Sequence, residues 1–465
     1  MVIGGSIAGL LAARALTAHA ARVTVVERDR FPDGGQPRPG VPQGRHPHVL
    51  LEGGQQALDA LLPGFTAELR AAGAPRVGMP SDMMQWQDGR WFRRLPASTH
   101  LFTGSRSQLD QLVRARVLAD PAVSVLQGTQ VVGLSGDATR VRGVLLRERG
   151  ETGSGPRHLA ADLVVDASGR GTKAAQWLTE IGAEAAYEEC IDAGFAYATR
   201  AYHAPLGPLG PRALGYYVVA SPAQPYAGLA LPLEDGRYLV ALAGVRGDHP
   251  PTDGDGFETY AKKLPHPYLH RWLSAAEPAS QIHGFAHTAN VRRRYDLPGR
   301  RPAGFLAIGD ALCTFNPIYG QGMAVAAMSA VALRTALADR RHTPTTRRVQ
   351  RILLAASRQA WDISAGADKG MPGATGNALG TSALERPAVW YLRRVQARYP
   401  GDPVVGRAFR SVVALTAPVS ALFAPRVARA VLFGPVRPTP VDLPLEREET
   451  PDETPPADSA TTPTA

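Results

Sequence analysis

The chain is poor in cysteine and lysine, and no long stretch of it is both apolar and uncharged. Its two cysteines, Cys190 and Cys313, cannot build a disulfide framework and lack metal-ligand spacing. Near the start we find no charged region followed by an apolar run and a cleavage site, so we expect a cytoplasmic protein. The longest uncharged run towards the C-terminus, 411–425, has 15 residues and contains a proline. A membrane span needs about 20 residues, so this run does not predict one.

The composition is that of a globular protein, with 44% hydrophobic and 20% charged residues. The 465 residues exceed one ordinary core, which predicts two intertwined domains and an appendage. The formal charge of +10 comes from arginines scattered along the chain, without an aromatic-interleaved patch or a known reader motif. We therefore expect no nucleic-acid partner. A positive surface suits an anionic cofactor, an anionic carrier-bound substrate or a membrane surface equally well.

The first 27 residues read as strand, glycine-rich turn, helix and strand, with the strands at 1–3 and 22–27 and the helix at 10–20. Glycines in such a turn let the backbone approach a pyrophosphate, and the helix start directs N–H groups at the phosphate. Here Ser6 replaces the middle glycine. Glu27 ends the second strand and is placed to hold ribose hydroxyls. The dinucleotide contacts predicted from this unit are Gly4, Gly5, Ser6, Ile7, Ala8, Gly9, Glu27 and Arg28.

A second signal follows the buried strand 305–308, where Gly309 and Asp310 form a polar turn. Small residues and Pro317 then lead into an alanine-rich helix that begins near Gly322. A helix N-terminus stabilises negative charge, and small residues let the backbone lie close to a cofactor. The contacts predicted here are Gly309, Asp310, Pro317, Gly320, Gly322 and Met323.

With both glycine-bearing turns in place, the sequence resembles the flavoprotein monooxygenases of the para-hydroxybenzoate hydroxylase fold. In that family the Gly-Asp turn contacts the FAD ribityl chain and the next helix points at the flavin. The Gly-Arg-His-Pro-His stretch 44–48 is similar to bacterial polyether polyene epoxidases, and the wider similarity is to squalene epoxidases. Ser105 and Gln108 form a capping box that sets Arg106 in a first helical turn. The FAD contacts added by the resemblance are Arg45, His46, Arg106, Val131 and Asp166.

The resemblance implies an α/β fold in which a Rossmann-like FAD-binding domain of the glutathione-reductase type is interleaved with a mostly antiparallel β substrate domain. A helical region follows towards the C-terminus. The predicted FAD-binding parts are 1–75, 101–182 and 291–345, the substrate domain is the hairpin 76–100 with 183–290, the helical region is 346–436 and the disordered tail is 437–465.

The implied reaction is monooxygenation. FAD is reduced by NAD(P)H, directly or through a separate flavin reductase, and reacts with O2 to a C4a-hydroperoxide. Its terminal oxygen then passes to an apolar or carrier-linked substrate. We name no catalytic acid, base or metal, because the flavin performs the chemistry and the protein must position the substrate and exclude water. We identify no group that would activate a phenol, and an alkene needs none. This favours epoxidation of a polyene or polyketide-type alkene in secondary metabolism.

The substrate residues predicted from the sequence are aromatic or β-branched, and core packing explains each of them equally well. They are Phe195, Tyr197, Thr199, Tyr217 and Phe315. The histidines His46 and His48 lack further ligands at metal spacing and are interpreted as loop or flavin-edge residues. The apolar, arginine-bearing segment 404–433 has three interpretations: a cover over a lipid-like substrate, a membrane-surface contact, or a helical cap on the core.

Several alternatives stay open. A phenol or polyketide hydroxylase and a saturating prenyl reductase share the fold and the need for an apolar cavity. A flavin-dependent halogenase is disfavoured, because its tryptophan-rich motif is absent and none of the four lysines stands near the first glycine turn. A dehydrogenase with its own NAD(P) domain is disfavoured, because this sequence has no second nucleotide-binding fingerprint. The remaining alternative is a non-catalytic flavin-binding or scaffold protein.

Overall fold

The computed structural model describes residues 1–34, 36–38, 40–150, 155–203, 213–380 and 386–448. Most of the tail predicted to be disordered, from residue 449 on, lies outside the described residues. Within the described ranges, no helix combines the length and the apolar character that a membrane crossing requires.

The strands and helices keep the order expected of a βαβ opening, a β-rich middle and a helical end. The strands are β1 (Val2–Ile3), β2 (Val23–Glu27), β3 (His48–Leu50), β4 (Arg76–Met79), β5 (Met83–Gln87), β6 (Arg90–Trp91), β7 (Thr99–Gly104), β8 (Val123–Gln127), β9 (Thr129–Gly136), β10 (Val141–Glu148), β11 (Arg157–Ala160), β12 (Val164–Asp166), β13 (Tyr187–Ile191), β14 (Ala196–His203), β15 (Gly215–Val218), β16 (Ala227–Pro232), β17 (Tyr238–Gly244), β18 (Glu277–Pro278), β19 (His283–Phe285), β20 (Asn290–Arg294), β21 (Phe305–Ala307) and β22 (Cys313–Thr314). The helices are α1 (Ile7–Leu16), α2 (Glu52–Leu61), α3 (Phe65–Ala71), α4 (Arg106–Leu118), α5 (Ala174–Glu180), α6 (Gly254–Tyr260), α7 (Tyr268–Leu273), α8 (Gly322–Ala338), α9 (Thr346–Lys369), α10 (Arg386–Arg398), α11 (Pro403–Val413) and α12 (Pro425–Phe433).

A five-stranded parallel sheet forms the nucleotide-binding half, in the order β21, β12, β1, β2, β8. Four of its strands, β1, β2, β12 and β21, are short and mostly apolar and are buried on both faces, as parallel strands normally are. The edge strand β8 is partly exposed. The carboxyl ends of parallel strands meet at one sheet edge. The turns after β1, β12 and β21 are therefore neighbours, although they are far apart in sequence. Ligands of open α/β sheets bind at this edge.

The second sheet runs β18, β14, β17, β16, β15, β5, β6, and most of its neighbours are antiparallel. The exception is β5, which pairs in parallel with β15. The predicted aromatic hairpin thus joins the second sheet, with positive φ at Asp88 and Gly89 in its two-residue turn. Together the two sheets confirm the predicted fold class of a Rossmann-like domain with a mostly antiparallel β domain and a C-terminal helical region.

The C-terminal helices α10, α11 and α12 form an apolar cluster with Phe92 of the second sheet. Two prolines in this region stand where local helices begin. Pro425 is the first residue of α12, and Pro418 precedes a short 3-10 helix over Val419–Phe423. Both prolines thus stand at helix starts, where the missing N–H costs nothing.

The beginning of the tail differs from its predicted disorder. Arg94 is buried, and its guanidinium donates from Nη1 to the carbonyl oxygen of Pro444 at 3.2 Å. Arg93 pairs with Glu448, and Leu443 packs against the apolar core of the second sheet. Residues 437–448 are thus held by these contacts and by the ion pairs of Arg437 with Asp402 and of Arg447 with Asp82. The composition of the segment does not show this, because Arg93 and Arg94 lie far away in sequence, in the connection between β6 and β7.

Candidate functional site

The turn between β1 and α1 has no room for side chains at two glycines. A Cβ on Gly4, whose φ is +99°, would lie 2.6 Å from the carbonyl oxygen of Ala167. A Cβ on Gly9 would lie 1.8 Å from the carbonyl oxygen of Gly4. Ser6 is the N-cap of α1, yet its side chain makes no capping hydrogen bond. The first N–H groups of α1 have no side-chain cap, which suits a bound phosphate.

The carboxylate of Glu27, at the end of β2, is buried and already accepts hydrogen bonds from the protein. The N–H of Gly5 donates to Oε2 at 2.7 Å, and the N–H of Asp29 donates to Oε1 at 2.9 Å. Arg38 pairs with Oε2 at 2.8 Å and also donates to the carbonyl oxygen of Gly5 at 2.9 Å. A carboxylate has about four acceptor positions, so a ribose hydroxyl would share Glu27 with Arg38 or displace it.

Arg106, the first residue of α4, lies beside the start of α1. It donates from Nη2 to the hydroxyl of Ser6 at 3.1 Å and from Nε to Oδ1 of Asp110 at 2.9 Å. The hydroxyl of Ser105 accepts from the N–H of Gln108 at 3.2 Å, as the capping box predicted. This cap fixes the first turn of α4 and sets a positive charge next to the uncapped helix start.

The Gly-Asp turn after β21 contacts α1 directly. Gly309 has φ +60°, and a Cβ on it would lie 2.6 Å from Cβ of Ala8. The carbonyl oxygen of Asp310 accepts from Arg293 at 3.2 Å, whereas its carboxylate has no hydrogen-bond donor among the described residues. Burial raises the pKa of that carboxyl, and the charge of Arg170 opposes the shift. The two glycine-bearing turns predicted from the sequence thus meet at one site.

The start of α8 carries a buried amide without partners. Gln321, its N-cap residue, is 1% exposed, and neither its Nε2 nor its Oε1 has a hydrogen-bond partner among the described residues. Buried polar groups are normally satisfied, so an unpaired amide marks a place where a polar ligand fits. A Cβ on the next residue, Gly322, would meet nothing within 4 Å. A Cβ on Gly320, in contrast, would lie 2.5 Å from Cγ2 of Val49.

Asp166 ends β12 at the same sheet edge and is fully buried. Its Oδ1 accepts from the N–H of Ser168 at 2.9 Å, and its Oδ2 accepts from the hydroxyl of Thr172. Both oxygens thus hold the Asp-Ala-Ser-Gly turn, where Gly169 has φ +87°. Asp166 shapes the sheet edge in this structure, and its contact with FAD stays a prediction.

The other predicted cofactor positions fall into two groups. Ile7 and Val131 are buried in the main core, as is Met323 in the first turn of α8. Arg28 and Arg45 are exposed, and the nearest polar contact of Arg45 is Nδ1 of His283 at 3.5 Å. Their predicted contacts with FAD also stay predictions.

A cavity of about 220 Å³ lies between the second sheet, the loop 317–320 and the C-terminal helices. Of the predicted substrate residues, Tyr197 and Tyr217 line it, and of the predicted cofactor residues, Pro317 and Gly320 do so. Burial raises the pKa of Tyr217 to about 12, so its hydroxyl stays protonated. The loop that leads into α8 is therefore shared between the proposed cofactor site and this cavity.

Three predicted substrate residues lie elsewhere. Phe195 packs with Ala193 and Met371 in a separate cluster, and Phe315 belongs to the core of the first domain. Thr199 is fully buried and bonded to a histidine. Because both faces of β14 are buried, alternation along it could not tell which side chains face the cavity.

His46 is held as a neutral imidazole beside the cavity. Its Nδ1 lies 2.8 Å from the hydroxyl of Thr199, and its ring meets Tyr197 edge-to-face with centroids 4.8 Å apart. Burial lowers the pKa of His46 to about 3 and that of His48 to about 3 as well. Nδ1 of His48 contacts the carbonyl oxygen of His46 at 2.7 Å. These contacts of the two imidazoles hold residues 46–48 in place near Arg106.

A buried polar network ties α9 to the loop before α8. The carboxylate of Asp368 is fully buried and accepts from Nδ2 of Asn290 at 2.6 Å, Nδ2 of Asn316 at 3.0 Å and the hydroxyl of Tyr319 at 2.6 Å. Oδ1 of Asn290 accepts from the N–H of Asn316 at 2.9 Å and the hydroxyl of Ser364 at 2.6 Å. Burial raises the pKa of Asp368, and these donors oppose the shift. The network sets the loop that borders the cavity.

Sequence reasoning missed Arg38, Gln321, Asn290 and Asp368. A signal existed for Asp368, since α9 carries polar residues on its buried face at helical spacing, with Ser357 and Ser364 among them. Polar residues at core positions indicate a buried network. Nothing local marked the other three, because each depends on a partner distant in sequence.

The fold and the site together define a dinucleotide-binding α/β protein. Two close-approach glycine turns, an uncapped helix start, a buried carboxylate and an unpaired amide at a second helix start fit the pyrophosphate, ribose and ring system of FAD. Gly5, Ser6, Glu27, Asp310 and Gln321 would hold the cofactor.

The family comparison agrees with this site. A family model described as FAD dependent oxidoreductase matches residues 1–220. Protein Rv3254 of Mycobacterium tuberculosis is 34% identical over 359 residues, which cover 73% of each chain. The chain therefore belongs to the FAD-dependent oxidoreductases and is an enzyme with FAD as its cofactor.

Solved structures share the fold at low identity. The flavin-dependent brominase Bmp2 is 16% identical with a TM-score of 0.63, covering 89% of this chain and 92% of its own. The p-nitrophenol 4-monooxygenase PnpA from Pseudomonas putida is 15% identical with a TM-score of 0.57, covering 83% of this chain and 90% of its own.

Gly322→Ala tests the cofactor position. We expect the FAD dissociation constant to rise about tenfold, because the added methyl group fills space beside the unpaired amide. The free energy of unfolding of the apoprotein should stay equal or rise by up to about 1 kcal/mol, since alanine favours a helix over glycine. Flavin fluorescence and urea titration measure the two quantities.

Gly366→Ala is the matched control, because a Cβ there also meets nothing within 4 Å and the position is exposed on α9. It should keep the FAD affinity of the parent protein. If the Gly322→Ala protein bound FAD as tightly as the parent protein, the flavin would have to bind elsewhere.

Asp368→Asn tests the buried network. The neutral side chain loses the charge-assisted hydrogen bonds from two amides and a phenol, and its own NH2 group faces donors. We expect the free energy of unfolding to fall by about 2–4 kcal/mol in urea titration. Asp362→Asn, on the exposed side of the same helix, should change it by less than about 0.5 kcal/mol. Equal effects of the two changes would contradict the network.

His46→Gln tests the neutral imidazole. The pKa of His46 is lowered to about 3 in the folded protein, so its stabilising effect is present above the ordinary value of 6.5 and is lost as the pH falls towards 3. As the pH falls from 7 to 5, this histidine should lower the free energy of unfolding of the native protein by about 2 kcal/mol. The variant should not show this part of the decrease. Urea titrations at both pH values measure it. The exposed His203, changed to Gln, should keep the native pH dependence, and a His46 variant that keeps it too would refute the assignment.

Proposed function

We propose that this enzyme is a monooxygenase that inserts one oxygen atom from O2 into an apolar substrate, with epoxidation of a polyene or polyketide-type alkene as its preferred reaction. The observation that carries this proposal is the wall shared by two sites. Pro317, Tyr319 and Gly320 line the cavity, and the same loop continues into Gln321 and the start of α8. A substrate in the cavity would therefore border the flavin site.

The chain's own contribution is to orient the substrate and to keep water out. Bound FAD, once reduced by NAD(P)H directly or through a separate flavin reductase, supplies the activation of O2. Met83, Leu229, Leu231 and Val413 give the cavity a largely apolar wall, which disfavours water near the reacting carbon. Tyr217 stays protonated and forms part of the wall. An alkene needs no base, so this wall suits epoxidation.

The segment 404–433 supports an enclosed substrate site. Phe409 and Val413, on α11, line the cavity directly. These contacts support the interpretation of the segment as a cover over the substrate, and its apolar cluster with Phe92 supports a helical cap on the core as well. Phe433 on α12 is 83% exposed, and a peripheral membrane contact there stays a prediction.

Aromatic hydroxylation is the second candidate, because an ionisable pair lines the cavity. His100 and Glu52 both contribute to its wall. Burial lowers the pKa of His100, which keeps the imidazole neutral and able to accept a phenol proton. A phenolic substrate would therefore find a base here, which the sequence had not indicated.

Halogenation is disfavoured although a brominase shares the fold. The four lysines are Lys173, Lys262, Lys263 and Lys369, and none of them lines the cavity in the part of the chain that the structure describes. A prenyl reductase would use the same apolar wall and differs from a monooxygenase in needing no O2.

Isotope labelling decides among these functions. The purified holoenzyme is turned over with NADPH, with and without an added flavin reductase, under 18-O2, and offered polyene and phenolic substrates. We expect a polyene product that is heavier by one labelled oxygen atom, detected by mass spectrometry. A labelled phenolic product alone would select the hydroxylase.

An unlabelled, hydrogenated product would select the reductase. A flavin that stays oxidised with every reductant and substrate would contradict the proposed monooxygenation. Boiled enzyme and 16-O2 are the controls.

A further inference from the structure

The cavity wall contains one arginine, Arg410 on α11. Its Nε donates to the hydroxyl of Ser98 at 2.8 Å. Among the described residues, no carboxylate lies within 4 Å of its guanidinium, and no acceptor bonds its two terminal nitrogens. Burial lowers the pKa of Arg410 to about 10, which still leaves it charged at neutral pH. The cavity therefore holds a positive charge that the protein itself does not neutralise.

Three of the most buried arginines find acceptors in the fold, although Nε of Arg38 has none among the described residues. Arg410 is itself partly exposed. Arg38 pairs with Glu27, and Arg106 pairs with Asp110. Arg94 donates to main-chain carbonyl oxygens of residues 81 and 444. An enclosed cation without an anionic partner is costly, so its retention in a binding cavity indicates a ligand that supplies the anion.

The surroundings of Arg410 leave its charge open to the cavity. Gly406 lies one helical turn earlier, and a Cβ there would be 3.0 Å from Nη2 and 3.1 Å from Nη1, so the guanidinium lies against bare main chain. Phe409 and Tyr399 stack with ring centroids 4.3 Å apart and form aromatic wall beside it. Glu52, the acidic residue in the described part of the cavity wall, forms no ion pair with Arg410 within 4 Å.

We propose that Arg410 binds the carboxylate of the substrate, and that the enzyme acts on apolar carboxylic acids. The planar guanidinium offers parallel donors that match a carboxylate. The same cavity extends to the loop 317–320, so an acid anchored at Arg410 would direct its apolar part along the wall that borders the flavin site. This inference rests on the proposed function, because it takes the cavity as the substrate site.

Calorimetric titration of the oxidised holoenzyme tests the anchor without any turnover. The probes are 2-naphthoate, sorbate and decanoate, each compared with its primary amide, which has nearly the same shape and no charge. FAD is bound throughout, so the pyrophosphate site is not free to take the probes. We expect at least one acid to bind at least tenfold more tightly than its amide.

Substitution assigns that preference to one side chain. Arg410→Gln should abolish the tenfold difference and leave amide affinity within twofold, and Arg410→Lys should keep part of it. Arg407→Gln, an exposed arginine on the same helix, should keep all of it. The flavin spectrum and melting temperature of each variant report its folding.

The proposal is overturned if no acid binds more tightly than its amide in the native enzyme. It is equally overturned if the preference persists in the Arg410→Gln protein. Should that variant fail to fold, the native comparison and the Lys variant still decide. The calorimetric titration measures binding without reductant or O2, so its result is independent of the isotope-labelling experiment. If Arg410 does not bind the acids, the proposed monooxygenation is unaffected. If no labelled oxygen is found in the product, the proposed role of Arg410 is unaffected.

Discussion

The site depends on backbone approaching backbone where three parallel strands end. At Gly4, Gly9 and Gly309 a single added carbon would collide with main chain or with α1. These contacts set the start of α1 against the Gly-Asp turn, with only the methyl group of Ala8 between them. The uncapped N–H groups of α1 and the carboxylate of Asp310 thus share one site, although their sequences lie about 300 residues apart. Any larger residue at these glycines would separate the two halves that FAD must bridge.

Local sequence patterns predicted the parts of this arrangement that depend on neighbours in the chain. The capping box at Ser105 formed as expected, and α8 begins at Gly322. The strand–turn–helix unit and the Gly-Asp turn were recognisable because backbone geometry there demands particular residues over a few positions. Helix ends moved by several residues, as with α1, which starts at Ile7 and ends at Leu16. This helix begins within the glycine-rich turn and therefore earlier than hydrophobic periodicity indicated.

The remaining features could not be predicted because they arise from contacts across the fold. Asn290 and Asp368 are 78 residues apart and meet only when α9 packs beside β20. The pairing of Arg38 with Glu27 links a loop of proline and glycine to a strand end. Phe195, just before β14, and Thr199, within it, were predicted to contact the substrate, but β14 is buried on both faces, so alternation cannot show which side chains face the cavity. The tail contacts at Arg93 and Arg94 belong to the same class.

The excess of arginine has a local explanation in this structure. Arg106, Arg170 and Arg293 all act on Asp310, and Arg38 acts on Glu27, so several cations surround the edge where the two acidic site residues lie. A bound FAD would add a doubly charged pyrophosphate to that edge, and the cations would then stabilise the cofactor more than they stabilise the empty fold. The neutral state of His46 and His48 follows from the same crowding, because both imidazoles are buried beside arginines. The net charge of the sequence did not identify a partner. The positions of these arginines in the fold indicate where an anionic cofactor would bind.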